Sequence, residues 1–290
     1  MSELPQQLLN GITIGGIYAL NALGLTMIYG MMNVVNIAHG ELYMLGALGA
    51  FFLVDSFNVP YFLAVILAVA LVALLGALIE RVSLRPIRGQ PMVTTTLVTL
   101  GISQILKNVS VIVTKGVPRY IGSPFSDAPV VLGPVQIVPA RLFAVITAAF
   151  VIILTHLFLQ KTVIGSTMRA SFQDKEASSL VGINVSRIYM FTFGLGAALA
   201  ALGGGLLGTF SFVDPNMGAK GLMKSFVVVT IGGMGNMIGA IFGGLILGVV
   251  ETIAAGYISS EYKDVIGFLM VVVVLLFLPQ GLFGAKERKA

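Results

Sequence analysis

The stretch Asn33-Val-Val-Asn-Ile-Ala-His-Gly-Glu41 puts two amides, an imidazole and a carboxylate into nine residues of an otherwise apolar neighbourhood. Hydrogen-bonding groups are costly in an apolar medium, and within a membrane they face a bundle interior or a water-filled path. On a helix, Asn36, His39 and Gly40 share a face by i, i+3 and i+4 spacing, and Asn33 extends it. With Glu41 they could line a path or gate for a polar solute. The same residues could instead cap the start of a helix at the membrane surface, where Glu41 would suit the helix dipole. The sequence leaves both readings open. A metal role is not expected, because His39 and Glu41 are two apart whereas the helical zinc motif needs two histidines four apart.

A second polar interruption is Gly232-Gly233-Met234-Gly235-Asn236. Each glycine weakens a helix by about 1 kcal/mol relative to alanine, so this run predicts an unwound segment and a second piece of the same path or gate. Both interruptions precede a Gly/Ala-rich helix, the arrangement expected of two related halves around a transport pathway. In 194–208 and 232–248, small residues recur at spacings that let helices approach closely in lipid. Glu251 falls in an apolar run, where a carboxylate is either functional or hydrogen-bonded within the bundle.

The third informative stretch, 162–188, is long and polar. Asp174 and Glu176 open a short helix, Ala177, Ser178 and Leu180 continue it, and Gly182 ends it. Leu180, Val181 and Ile183 would give it apolar edges. Connections between helices usually run about 2–8 residues, so a segment of this length with exposed apolar side chains predicts a docking site for another protein rather than a solvated loop.

The elements that must position these groups are membrane helices. The 290 residues are 57% hydrophobic and 10% charged, with mean hydropathy +0.99, against about 25% charged in a soluble domain. Uncharged runs such as 10–32, 58–79 and 265–282 are continuous rather than alternating, which favours helices over a barrel. Helices are expected near 8–31, 38–54, 60–80, 92–114, 141–160, 188–212, 223–236, 238–258 and 264–280. The fold class is therefore all-α: a polytopic membrane bundle of about 8–9 transmembrane helices forming a single domain over 1–290. The stretches 33–45 and 223–236 are the candidates for broken or re-entrant segments. Glu80 and Arg81 read as a helix leaving the membrane.

Basic residues cluster in 81–88, in 161–187 and in the tail (Lys286, Arg288, Lys289), which the positive-inside rule assigns to the cytoplasm. With nine crossings the N-terminus is periplasmic and the C-terminus cytoplasmic; Lys220, Lys224 and Lys263 then fall on the wrong side. The Pro/Gly-rich stretch 115–140 becomes an external cap. The first ten residues carry no basic region typical of a signal peptide, so the first helix is expected to be retained. Without cysteine, thiol chemistry is excluded. The net charge of +5 reports topology rather than nucleic-acid binding. No phosphate-binding loop, voltage sensor, potassium filter, nucleophile elbow or metalloprotease motif occurs, so an enzyme has little support.

Three blocks together resemble the permease subunits of branched-chain amino acid ABC importers, the LivH type. They are "GITIGGIYALNALGLTMIYGMMNVVNIAHGELYMLGA", "GSTMRASFQDKEASSLVGINVSRI" and "SFVVVTIGGMGNMIGAIFGGLILGVVE", in that family's order. The resemblance implies that 161–187 is a cytoplasmic coupling loop whose short helix docks on an ATP-binding subunit. The wider signature is Glu-Ala-Ala followed by Gly; here it is Glu176, Ala177, Ser178 and Gly182, with Ser for the second Ala. It also implies a bacterial inner-membrane location, no cofactor, and ATP hydrolysis on a separate chain. The implied partners are a second homologous permease (a heterodimer), two ATP-binding subunits and a periplasmic substrate-binding protein. The cargo would be a branched-chain or related amino acid, although relatives could carry urea or short amides. The rival reading is an ion-coupled secondary transporter with His39, Glu41 and Glu251 as a relay. A third is a purely structural membrane subunit.

Overall fold

The computed structural model describes residues 3–125, 128–133 and 135–284. The basic tail residues Lys286, Arg288 and Lys289 lie outside the described residues. In chain order the helices are α1 (Leu4–Met32), α2 (His39–Asp55), α3 (Tyr61–Ile79), α4 (Met92–Thr114), α5 (Pro139–Lys161), α6 (Val163–Gln173), α7 (Lys175–Leu180), α8 (Val185–Leu207), α9 (Met217–Gly232), α10 (Met237–Tyr257) and α11 (Lys263–Phe277). Among the described residues, six are long and apolar enough to cross a membrane: α1, α3 with its extension to Ile87, α4, α5, α8 and α10. At 17, 16 and 15 residues, α2, α9 and α11 are shorter. The molecule is thus the all-α polytopic bundle expected, with one addition, an antiparallel hairpin of β1 (Val130–Leu132) and β2 (Val135–Ile137).

The bundle is organised around α1, which packs on α10, α8, α9 and α5. Lipid removes the hydrophobic drive between helices, so contact must come from close backbone approach. A Cβ on Gly204 would lie 1.9 Å from the Tyr43 carbonyl oxygen, and one on Gly46 would lie 2.2 Å from that of Ala201. On the other flank of α1, a Cβ on Gly248 would sit 2.4 Å from the Gly15 backbone. These contacts are closed to any larger residue. In contrast, α3, α4 and α5 turn Leu74, Leu97, Ile105, Ile112 and Phe150 outward, as lipid-facing helices do.

Several expectations change. The helix expected over 223–236 begins earlier, at Met217, because burial overrides the weak propensity of its glycines. The helix expected over 188–212 is α8, which stops at Leu207. An unanticipated helix, α6, occupies Val163–Gln173 within the 161–187 segment. Glu80 is not the solvated helix end that its charge suggests. It is fully buried and paired with Arg88, because α3 continues through a π-helical turn, Glu80–Leu84, and a 3-10 turn, Arg85–Ile87, that fold Arg88 back onto it. Lys224 is likewise no topological marker, being paired within the bundle.

Two ends of the bundle are distinct. At one, Arg88 donates to Ser186 at 2.7 Å, joining the two basic connections, with Asn33 and Asn236 nearby across one cavity. At the other, Arg119 pairs with Val213 through the backbone, and Gln6 bonds the Gln136 backbone in both directions.

Candidate functional site

The first polar interruption is a break in the chain. α1 ends with Asn33 in the left-handed conformation (φ 51°), residues 33–38 are non-helical, and α2 starts at His39. His39 Nε2 meets the Asn21 carbonyl oxygen at 2.9 Å. Asn21 lies well inside α1, roughly 16 Å from its last residue at 1.5 Å rise per residue. Residues 33–38 therefore climb back along α1, and α2 begins deep within the bundle. This is the broken or re-entrant segment expected over 33–45. It is broken rather than re-entrant, because α2 runs on to the opposite end, where Phe51 lies 5.8 Å from Arg119. The predicted single-face stripe is not formed, because Asn33 and Asn36 lie in the break: Asn33 is exposed at its mouth and Asn36 is buried. Nor do these side chains act as caps; the residue preceding α2 is Ala38, and no side-chain cap is made there.

What forms instead is a buried polar cluster where α1, α2, α4 and α9 meet. Asn36 and His39 are 0% exposed and Glu41 is 3% exposed. Ser103 on α4 donates to Glu41 Oε1 at 3.2 Å, and Thr99 bonds the Val35 carbonyl and the Ile37 amide, each at 3.2 Å. Asn21 Nδ2 donates to the Gly221 carbonyl at 3.0 Å. Gly40 packs on Gly218, where a Cβ would be 2.2 Å from the carbonyl oxygen, so α2 and α9 touch backbone to backbone.

The cluster is incompletely satisfied. Among the described residues, both polar atoms of Asn36 lack a partner, as do His39 Nδ1, Glu41 Oε2, Asn21 Oδ1 and Thr26 Oγ1. Buried polar groups are nearly always paired, and one left unpaired costs about 1–3 kcal/mol. Several such atoms leave donors and acceptors unused in the interior of the bundle. Asn21, Thr26, Thr99 and Ser103 were missed from the sequence because single hydroxyls and amides are common in membrane helices. Their position opposite the break is a tertiary fact.

The second interruption is also a break. α9 ends at Gly232, and Gly233 and Gly235 have φ of +100° and +80°. Asn236 Oδ1 accepts from the Gly239 amide at 2.9 Å, capping α10, while its Nδ2 donates to the Phe283 carbonyl at 2.7 Å. Gly30 and Gly235 lie in contact, so the two breaks meet at one end. There Asn33, Gly235 and Asn236 line a cavity of about 700 Å³ together with Tyr29, His156 and Arg169. Gly232 and Gly233 are packed against Gly239 and Gly284 instead. A second cavity, about 560 Å³, opens towards the other end and includes Tyr18, Tyr43 and Gly221. The polar cluster lies between the two.

Glu251 is buried in mid-α10 and hydrogen-bonded within the bundle. The Tyr18 hydroxyl donates to it at 3.0 Å, and Lys224 bridges it to Asp264.

The short helix is α7. Asp174 caps it by accepting from the Glu176 and Ala177 amides, both at 2.9 Å. Gly182, at φ +87°, ends it in open space. Ser178 is buried, Glu176 and Ala177 are exposed, and Leu180 and Val181 stand 87% and 77% exposed. Its attachment to the bundle runs through Tyr189 on α8: Lys175 lies 5.8 Å and Arg88 4.4 Å from that ring. A chain of contacts thus runs from α7 to the buried Glu80.

Comparison with known proteins identifies the family. Residues 7–275 match the family described as branched-chain amino acid transport system / permease component. The chain is 35% identical to the high-affinity branched-chain amino acid transport system permease protein LivH of Salmonella typhimurium, over 97% of this chain and 96% of that protein. It is 34% identical to BraD of Pseudomonas aeruginosa, with the same coverage. It is 25% identical to the ribose import permease protein RbsC of Haemophilus influenzae, over 97% of this chain and 86% of that one. No solved structure matches. By that family match and by the identity to LivH over nearly its whole length, the chain belongs to the family of permease components of branched-chain amino acid transport systems.

Proposed function

We propose that this chain is the translocating subunit of an ATP-driven importer for branched-chain or related amino acids. The observation that carries the coupling is α7: a six-residue helix, capped at both ends, that holds Leu180 and Val181 out into solvent beyond the membrane bundle. Large apolar side chains presented in this way suit a cleft on a partner protein. Asp174, Glu176, Ala177, Ser178, Leu180 and Gly182 form the coupling helix, which docks on an ATP-binding subunit where hydrolysis occurs. Tyr189, Arg88 and Glu80 carry its displacement to α3 and α8. The working assembly pairs the chain with a second homologous permease, two ATP-binding subunits and a periplasmic substrate-binding protein.

In this reading the bundle sits in a bacterial inner membrane, with the N-terminus periplasmic and the C-terminus cytoplasmic. The shared end of the two basic connections supports that orientation. Asn36, His39, Gly40 and Glu41 belong to the gate, and Asn33, Gly235 and Asn236 line the cytoplasmic exit, with Gly232 and Gly233 setting the bend between α9 and α10. A zwitterion passing the gate meets donors and acceptors that bind weakly enough to release it.

The test is uptake by the importer reconstituted with its ATP-binding subunits and binding protein. Gly182→Arg places bulk and charge on the docking face, and ATP-driven uptake is expected to fall to background while the protein still inserts. Normal uptake by that variant would remove α7 from the coupling role. An ion-coupled transporter is disfavoured because Glu251, the carboxylate it would use, is held by Lys224. Uptake driven by an ion gradient without any ATPase would restore that reading.

A further inference from the structure

The cavity at the α1 N-terminal end is charged in an alternating pattern that no requirement of packing explains. Glu251, Lys224 and Asp264 run minus, plus, minus from its buried floor to its rim. Lys220 and Lys263 flank Asp264 at the mouth, close enough for their charges to act on it. Removing charges from water costs several kcal/mol per ion, and an apolar pair would hold α9, α10 and α11 together as well. The helices close tightly on Glu251 at this point. α11 passes Glu251 with Gly267, where a Cβ would lie 2.7 Å from Glu251 Oε1.

The remaining lining is mixed. Ile14, Ile17, Leu207 and Phe210 are its apolar members, with the Arg141 guanidinium 5.4 Å from the Phe210 ring, and Ser211, Asp214, Thr252 and Ser260 add polar groups. Tyr18, Tyr43 and Gly221 form a floor. Directly behind that floor are the unpartnered atoms of the central cluster: Asn21 bonds Gly221, and His39 is one helical turn from Tyr43. A volume of about 560 Å³ accommodates a small amino acid with room for water.

We propose that this cavity is a docking site for a zwitterionic α-amino acid with an apolar side chain, taken up before passage through the gate. The ammonium group displaces Lys224 from Glu251 and Asp264. The freed Lys224, with Lys220, holds the carboxylate, and the side chain rests on the apolar members of the lining. The Tyr18 hydroxyl keeps Glu251 oriented. Each charged partner exchanges one ion pair for another, so binding stays weak and reversible, as a transit site requires. This inference rests on the importer reading for the identity of the cargo.

The test uses the assembled complex without nucleotide, in lipid nanodiscs, photolabelled with a diazirine analogue of leucine and mapped by peptide mass spectrometry. Labels are expected on the segments containing Ile14–Tyr18, Lys220–Lys224 and Glu251–Ala255. Excess leucine should compete, and the matching carboxylic acid without an ammonium group should not. Glu251→Gln and Asp264→Asn should each cut labelling about tenfold, the loss of one charge-assisted contact. If Glu251→Gln fails to assemble, the rim variant Asp264→Asn and the two competitors decide. Labels elsewhere, labels indifferent to leucine, or full competition by the carboxylic acid would overturn the site. Competed labelling in a complex that shows no ATP-driven leucine uptake would uphold the site and overturn the importer reading instead.

Discussion

The two breaks in this bundle meet at one end yet are built on opposite principles. The break at 233–236 is closed. Its glycines take backbone angles that other residues resist, both polar atoms of the Asn236 amide are bonded, and the segment 281–284 clasps it, with Leu282 and Phe283 donating to the Ile231 and Gly232 carbonyls. The break at 33–38 is open in the chemical sense. It delivers Asn36, His39 and Glu41 into the core with four of their polar atoms unpartnered. One break spends its polar groups on holding the fold, and the other keeps them available. Polarity inside a membrane is therefore not one signal, and hydrogen-bond completion separates these two breaks.

Breaking the closed region should have the largest effect. Gly233→Val combines a left-handed backbone, at about 1–2 kcal/mol, with a Cβ 2.8 Å from the Gly284 amide nitrogen. Little folded protein is expected, measured as loss of the monodisperse peak in size-exclusion chromatography of the detergent extract. A well-behaved variant would show that the clasp is dispensable.

In the open region the expectation is a separation of stability from function. Asn36→Leu removes two unpartnered buried atoms, each costing about 1–3 kcal/mol, so thermal stability should hold or rise. Uptake in the reconstituted importer should nevertheless fall about tenfold, the equivalent of one lost polar contact of about 1.4 kcal/mol to the passing solute. A fall in both stability and uptake would make Asn36 a structural residue and erase the contrast.

The smallest effect is expected at the capped amide. Asn236→Ala loses a helix cap worth about 1 kcal/mol, a small downward shift in Tm, with uptake changed by less than about twofold. A tenfold loss of uptake with unchanged Tm would show that the Asn236 amide serves the exit it lines rather than the clasp.

Much of this was legible in the sequence. Apolar runs long enough to span lipid fix the all-α class, because a backbone in hydrocarbon must bond to itself. The polar content of 33–41 and the glycine content of 232–235 mark both breaks, since each opposes continuous helix locally. Asp174 and Gly182 delimit α7 for the same reason: capping and positive φ are local preferences. Lys224 carried a signal as well, a cation misplaced by the positive-inside rule, but its resolution needed Glu251 and Asp264, which are 27 and 40 residues away.

Only the tertiary structure decided the rest. Whether Asn36 caps a helix or lies unbonded depends on where α1, α4 and α9 pass, and Glu80 is paired rather than solvated because a π-helical turn brings Arg88 back onto it. Residues close in sequence declare their backbone preferences to one another directly. Whether a buried polar atom finds a partner is settled by helices far apart in the chain, and no local pattern encodes that.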